Sequence, residues 1–237
     1  MIYYNGVSSR DVGLIVEQFP ERTYPKRKYS KVSVPGRSGD IVIQQDAWEN
    51  FAKTYQVALN GRQSGLSITL EAVFSWLNQN GYCRLEDDYD PDVFHLAMYH
   101  GGESFESTFD RFGRGTLTFD CKPQAFLKTG EYPKAFQSGI SLANPTTFPA
   151  KPLIEFTTYR YTNRDVVITV NNKTLTTAHG LANTHVFVDC EEQNVYTSTQ
   201  SLNGITTGIF PELRPGINNI TITNVSEATI VPRWWRV

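Results

Sequence analysis

Phe119-Asp-Cys-Lys-Pro-Gln-Ala-Phe-Leu-Lys-Thr-Gly130, followed by Asn144-Pro-Thr-Thr-Phe-Pro-Ala-Lys-Pro-Leu-Ile-Glu-Phe156, is the stretch on which the reading of this chain turns. Pro123, Pro133, Pro145, Pro149 and Pro152 each fix φ and remove a backbone donor, so no uninterrupted helix or central strand is expected to run through it. Phe126, Leu127, Phe136, Ile140, Leu142 and Phe148 supply apolar surface that lays the segment against its neighbours. The expectation is a hinge between two domains, residues 1–143 and residues 144–237. At 237 residues the chain is long enough for each half to bury its own core.

Working back from the hinge, the first half alternates strand patterns with a single helical one. Ile2-Tyr-Tyr4 runs into Asn5-Gly6, a pair that tolerates the positive φ of a hairpin turn, with a return strand expected through Leu14-Ile-Val16. Val32 and Val34 precede, and Ile41 and Ile43 follow, a Pro-Gly-Arg-Ser-Gly-Asp bend, which predicts an extended hairpin over Lys31 to Ile43. Asp46 to Asn60 fits either a helical stripe through Trp48, Phe51, Tyr55 and Leu59 or a strand through Tyr55 to Leu59. Leu70, Val73, Phe74 and Leu77 recur at helical spacing before Gly81, which predicts one helix near 66–80 packed on a sheet. Residues 82–85, 94–99 and 115–121 read as strands.

Working forward, strands are expected at 165–170, 185–190, 211–223 and 228–237, spaced at short intervals without helical period. That pattern indicates a β-sandwich of jelly-roll type. The fold class is therefore mainly β: an N-terminal α+β sandwich followed by a C-terminal galectin-like or jelly-roll β-sandwich.

With 22 basic against 24 acidic residues, the chain lacks the positive footprint of a nucleic-acid grip. Three widely spaced cysteines, Cys83, Cys121 and Cys190, have no metal-ligand spacing and read as reduced, buried residues. No apolar run approaches membrane-spanning length and no secretory leader is visible, so no membrane insertion and no glycosylation of Asn172, Asn219 or Asn224 is expected. Asp88, Asp90 and Asp92 have the alternate spacing of a calcium loop. Counted from Asp88, however, the sixth position is Val93 and the twelfth Tyr99, where that loop needs Gly and Glu, so Asp87 to Asp92 reads as a solvated turn. The pairs His95 with His100 and His179 with His185 are misspaced for one metal. No nucleophile elbow, phosphate loop or dinucleotide fingerprint occurs, and no cofactor, metal or catalytic residue is expected. Adjacent Trp234 and Trp235 face opposite ways in a strand, so at most one joins any sugar-stacking surface. A carbohydrate-binding β-sandwich module is the alternative that they keep open.

In their order along the chain, Val34-Pro-Gly-Arg-Ser-Gly-Asp40, Trp76-Leu77 with Tyr82-Cys-Arg-Leu-Glu-Asp-Asp-Tyr-Asp-Pro-Asp92, and Phe119-Asp-Cys-Lys-Pro123 resemble the distal tail protein (Dit) family of long, non-contractile-tailed phages. Asn144-Pro-Thr146, Pro152-Leu-Ile154, Phe210-Pro-Glu-Leu-Arg-Pro-Gly-Ile-Asn-Asn219 and Pro232-Arg-Trp-Trp235 extend the resemblance over nearly the whole chain. It implies a structural virion protein and not an enzyme. The N-terminal domain would close a homohexameric ring at the distal end of the tail, with the galectin-like domain projecting outwards. Such a hub links the major tail tube protein to the tail-tip or tail-associated protein, and in some members carries receptor-binding proteins on an inserted arm. DNA would meet it only in transit through the lumen, which is expected to be acidic or neutral, and synthesis would take place in the bacterial host cytoplasm.

The residues named for an oligomer interface are Val34, Pro35, Gly36, Arg37, Ser38, Gly39, Asp40 and Ile41. A hairpin there could pair with a neighbouring subunit or stay an ordinary intramolecular element.

Overall fold

The computed structural model describes residues 1–60, 66–102, 104–108, 112–160 and 164–237. The chain is mainly β and folds as two compact units, Met1–Ala125 with Val237, and Phe126–Arg236.

In the first unit, β1 (Ile2–Tyr4) and β2 (Val7–Ser8) form a two-residue hairpin around Asn5 and Gly6, both at positive φ. Those angles suit a type I′ turn. The return strand is thus Val7–Ser8; Leu14 belongs instead to β3 (Leu14–Gln18), at the far edge of the sheet. With β6 (Phe51–Asn60), β7 (Cys83–Asp87), β8 (Val93–Tyr99) and β10 (Phe112–Leu127), the order is β2-β1-β7-β8-β10-β6-β3, and β9 (Phe105–Thr108) also pairs with β10. Tyr55, Val57 and Leu59 are buried at every second position, which decides the strand reading of that ambiguous segment.

The helix α1 (Leu66–Leu77) presents Val73, Trp76 and Leu77 to the core, with Leu70 packed beside them. Phe74, expected on the same stripe, points outward. Trp76 takes its place: its Nε1 donates to the Tyr4 carbonyl at 3.0 Å while its ring meets Tyr4 edge-on. Tyr4, Tyr55 and Tyr99 all pack on Phe119, so the core is an aromatic cluster under one helix.

The second unit is a sandwich of two five-stranded antiparallel sheets. One contains β11 (Lys134–Phe136), β20 (Val225–Val231), β13 (Leu153–Thr158), β16 (His185–Asp189) and β17 (Asn194–Tyr196), in that order. The other contains β12 (Gly139–Asn144), β19 (Gly216–Thr223), β14 (Val166–Val170), β15 (Lys173–Thr177) and β18 (Thr206–Gly208). Leaving out β17 and β18, the orders β11-β20-β13-β16 and β12-β19-β14-β15 are those of an eight-stranded jelly roll, in which each strand passes to the other sheet except at the β14–β15 hairpin. Alternating side chains such as Ile154, Phe156, Val186, Val188, Ile220 and Ile222 fill the space between the sheets.

The units divide between Ala125 and Phe126, upstream of the boundary at 143/144 expected from the prolines. The reason is pairing: β11 lies on β20 and β12 on β19, so residues 134–144 are strands of the second sandwich. Pro145, Pro149 and Pro152 punctuate the connection from β12 to β13 inside that unit. Buried Asn144 organises it, donating from Nδ2 to the Phe148 and Leu213 carbonyls and accepting from the Thr146 N–H. Asn218 does the same for Arg214-Pro215-Gly216, bonding the Arg214 N–H and carbonyl from one fully buried side chain. Proline removes donors, and these amides supply the missing partners.

Candidate assembly interface

The segment named for assembly, Val34 to Ile41, joins the two strands of a separate sheet, β4 (Arg27–Val32) against β5 (Ile41–Trp48). At its tip the Arg37 N–H donates to the Val34 carbonyl at 3.1 Å, with Pro35 and Gly36 between them. Proline first and glycine second, with Gly36 at φ +79°, is the chemistry of a type II turn. Gly39, at φ +84°, completes the reversal.

Register decides which side chains share a face. Val32 stands opposite Ile41 and Ser30 opposite Ile43, while Lys31 opposes Val42 and Tyr29 opposes Gln44. One face is therefore aliphatic, with Val32, Ile41 and Ile43 at 44%, 39% and 52% exposure. The reverse face carries Val42 and Tyr29, with Lys31 Nζ 5.8 Å from the Tyr29 ring centre. Of the eight residues named from sequence, Val34 is half-buried and Pro35 to Ile41 are exposed. The spacing located the hairpin, but its exposed aliphatic side chains lie mainly in the flanking strands. Period-two alternation at Ile41 and Ile43 was the available signal for them.

The hairpin's base is held by aromatic and cationic contacts. The Arg27 guanidinium sits 4.9 Å from the Trp48 ring centre, and the Glu49 N–H donates to the Lys26 carbonyl at 2.8 Å. Upstream, Phe19 packs on Tyr89 at 5.2 Å, and Arg22 Nε donates to the Tyr89 hydroxyl. Tyr89 belongs to the acidic loop, so the strap into the hairpin is fastened to residues 87–92.

That loop is not simply solvated. The Asp87 side chain is buried: its Oδ2 accepts from the Tyr55 hydroxyl at 2.6 Å and lies 2.7 Å from Lys53 Nζ. Its Oδ1 caps the turn through the N–H groups of Tyr89 and Asp90, both at 3.0 Å. Burial pushes the Asp87 pKa up, but Lys53, Tyr55 and the turn amides outweigh it and hold it below the usual carboxylate value. Burial also raises the Tyr55 hydroxyl well above its ordinary range and the Cys121 thiol to about 12. His95, nearby, is pushed down to about 4, first by burial and then by Lys53. This is a structural charge cluster. Among the described residues no group of three or more His, Cys, Asp or Glu could hold a metal ion.

The second unit repeats the device. Asp189 caps its turn through the Glu191 and Glu192 N–H groups and takes both guanidinium arms of Arg233 at 2.9 Å. Arg233 adopts a left-handed φ of 56° to reach it. Next to it Trp234 is buried, whereas Trp235 stacks on Phe148 at 4.6 Å and donates from Nε1 to the Pro149 carbonyl. With one indole in the core and the other stacked on a phenyl ring, the tryptophan pair offers no joint platform for a sugar.

No protein-family model matches the chain, and no curated protein matches it. Solved structures do share its fold. The Dit (gp 19.1) protein of phage SPP1, described as a paradigm of the hub adsorption apparatus in Gram-positive-infecting phages, superposes with a TM-score of 0.76 at 13% identity over 97% of this chain and 96% of that one. A chain of the phage P2 baseplate, in its activated conformation with Ca, aligns with a TM-score of 0.53 at 8% identity over 92% of this chain and 89% of the other. The mainly β fold that the sequence resemblance implies is observed, and the fold shared with the SPP1 protein extends over 97% of the chain.

Proposed function

We propose that this protein is the structural hub at the distal end of a long phage tail, built as a head-to-tail homohexameric ring. The observation that carries the reading is the β4–β5 hairpin. An isolated two-stranded hairpin is marginal in water, and this one exposes Val32, Ile41 and Ile43 on one face. Full burial of such a side chain is worth about 1.5–3 kcal/mol relative to full exposure, and because these three are about half exposed, roughly half of that remains at each for a subunit that covers the face. Donor and acceptor surfaces that differ make a heterologous contact, which closes into a ring when its rotation closes. The fold shared with the SPP1 hub protein supports the same reading.

In this role the ring joins the major tail tube protein to the tail-tip or tail-associated protein in the virion, after synthesis in the host cytoplasm. DNA passes through the lumen without being held, which a net charge of −2 suits. Connections between strands of the second unit are at most nine residues long, so an arm for receptor-binding proteins is not part of this proposal. The protein acts by assembly and carries no catalysis. Electron microscopy of the purified chain mixed with its tail-tube and tail-tip neighbours tests this. Annular complexes are expected, and their absence, or unaided turnover of a substrate, would refute the reading.

A further inference from the structure

The first unit also holds an open groove of about 810 Å³ between the outer side of α1 and the end of β8. Phe74 and Met98 line it and are exposed, Leu77 forms part of its base, and Glu71 is the one charged residue among the described residues that line it. The helix ending there has no basic residue in its last turn, so the negative end of its dipole has no cation of its own helix to offset it. The groove thus asks for apolar side chains with a cation at their margin.

The hairpin is such an element. Residues 26–43 hold Lys26, Arg27, Lys28, Lys31 and Arg37 against the single acid Asp40. Of 22 basic and 24 acidic residues in the chain, this segment takes five and one, which leaves the remainder with an excess of six acidic side chains. Positive charge and uncovered aliphatic surface coincide on the hairpin; negative charge and uncovered apolar surface coincide at the groove. Within one chain both remain exposed, so they are not used on each other there.

We propose that the groove between α1 and β8 of one copy receives the aliphatic face of the β4–β5 hairpin of a second copy. Ile41 and Ile43 would sit against Phe74 and Met98, and Lys28, at the same alternation along β4 as Ser30 and Val32, would face Glu71 and the helix end. The proposal rests on the hub reading and names the acceptor that the hairpin needs. Association through it weakens as salt screens the charged margin.

The test mixes two full-length variants, Ile43→Cys and Phe74→Cys, under mild oxidant, beside light scattering of the same mixture. Ile43→Cys mixed with Ile217→Cys, a substitution at an exposed position in the second unit, sets the collision background. The expected result is a mixed disulfide between Ile43→Cys and Phe74→Cys at least tenfold above that background. If the mixture assembles but the mixed disulfide stays at background, the groove assignment is overturned while the hub reading stands. Self-linkage of Ile43→Cys alone would show a symmetric hairpin contact and would also overturn it. Neither assembly nor linkage at any concentration would remove the hub reading, and this proposal with it.

Discussion

Val32 stands directly across the hairpin from Ile41, on the same face, and both side chains are exposed. A cross-strand aliphatic pair normally covers a core; here it continues through Ile43 as an uncovered stripe at the head of a sheet that stands apart from the main one. The stripe is a part of the first unit that folding of one chain leaves uncovered.

Ile43→Glu, alone or with Val32→Lys, is therefore expected to abolish assembly and leave the subunit folded. Exposed substitutions cost within about 0.5 kcal/mol of stability. Particle mass by light scattering together with a thermal melt checks both halves, and a melt lowered by many degrees would move these residues into the fold.

Lys53 and Asp87 form a largely buried pair, and removing one partner strands the other charge. Lys53→Ala is expected to cost roughly 3–5 kcal/mol in chemical denaturation. Because Asp87 also caps the turn that presents Tyr89 to Arg22, the variant should loosen the strap into the hairpin as well. Faster hydrogen exchange at the amides of Tyr89 and Asp90 would report it.

Acid should destabilise the first unit in two stages. His95 has a folded pKa of about 4 against 6.5 for the free side chain, so the unfolded chain binds the extra proton between those values. Stability is complete above pH 6.5 and falls towards pH 4, by at most about 3 kcal/mol. Asp87 lies below its ordinary 3.8, so its contribution is present above that value and is lost as pH falls beneath it. Asp189, held down by Arg233 and its turn amides against the upward pull of burial, gives the other unit a loss of its own at the same acid end. His95→Phe should flatten the pH 4–6.5 slope in urea titrations; an unchanged slope would contradict the assignment.

Two glycines should fail differently when replaced by alanine. A Cβ on Gly130 would lie 2.4 Å from the Trp234 backbone nitrogen, so Gly130→Ala is expected to cost about 1–3 kcal/mol through overpacking in the second unit. A Cβ on Gly36 meets open space, but its φ of +79° costs about 1 kcal/mol in the turn. Calorimetry of the two variants should show the larger loss for Gly130→Ala.

Much of this was legible in the residues, and the exceptions have physical causes. Alternation located the strands and the hairpin because period two survives in any half-buried strand. The prolines misplaced the boundary between the units: they mark a connection, but whether it lies between domains or inside one depends on whether Lys134 to Asn144 pair forwards or backwards, which spacing does not encode. Phe74 was expected on the core stripe and Trp76 stands there instead; both fit a helical stripe, and the hydrogen bond from Trp76 to the Tyr4 carbonyl selects between them. Asp87 read as solvent-facing among its acidic neighbours, since its partners Lys53 and Tyr55 are far away in sequence. The groove beside α1 was invisible, being formed by a helix end and a strand end with no local motif.

Light scattering of the wild-type chain beside Ile43→Glu tests the central claim most directly. The account predicts a wild-type particle of roughly six chain masses, each 26.8 kDa, and a variant of one. Equal masses for the two proteins, whether single chains or assemblies, would contradict it.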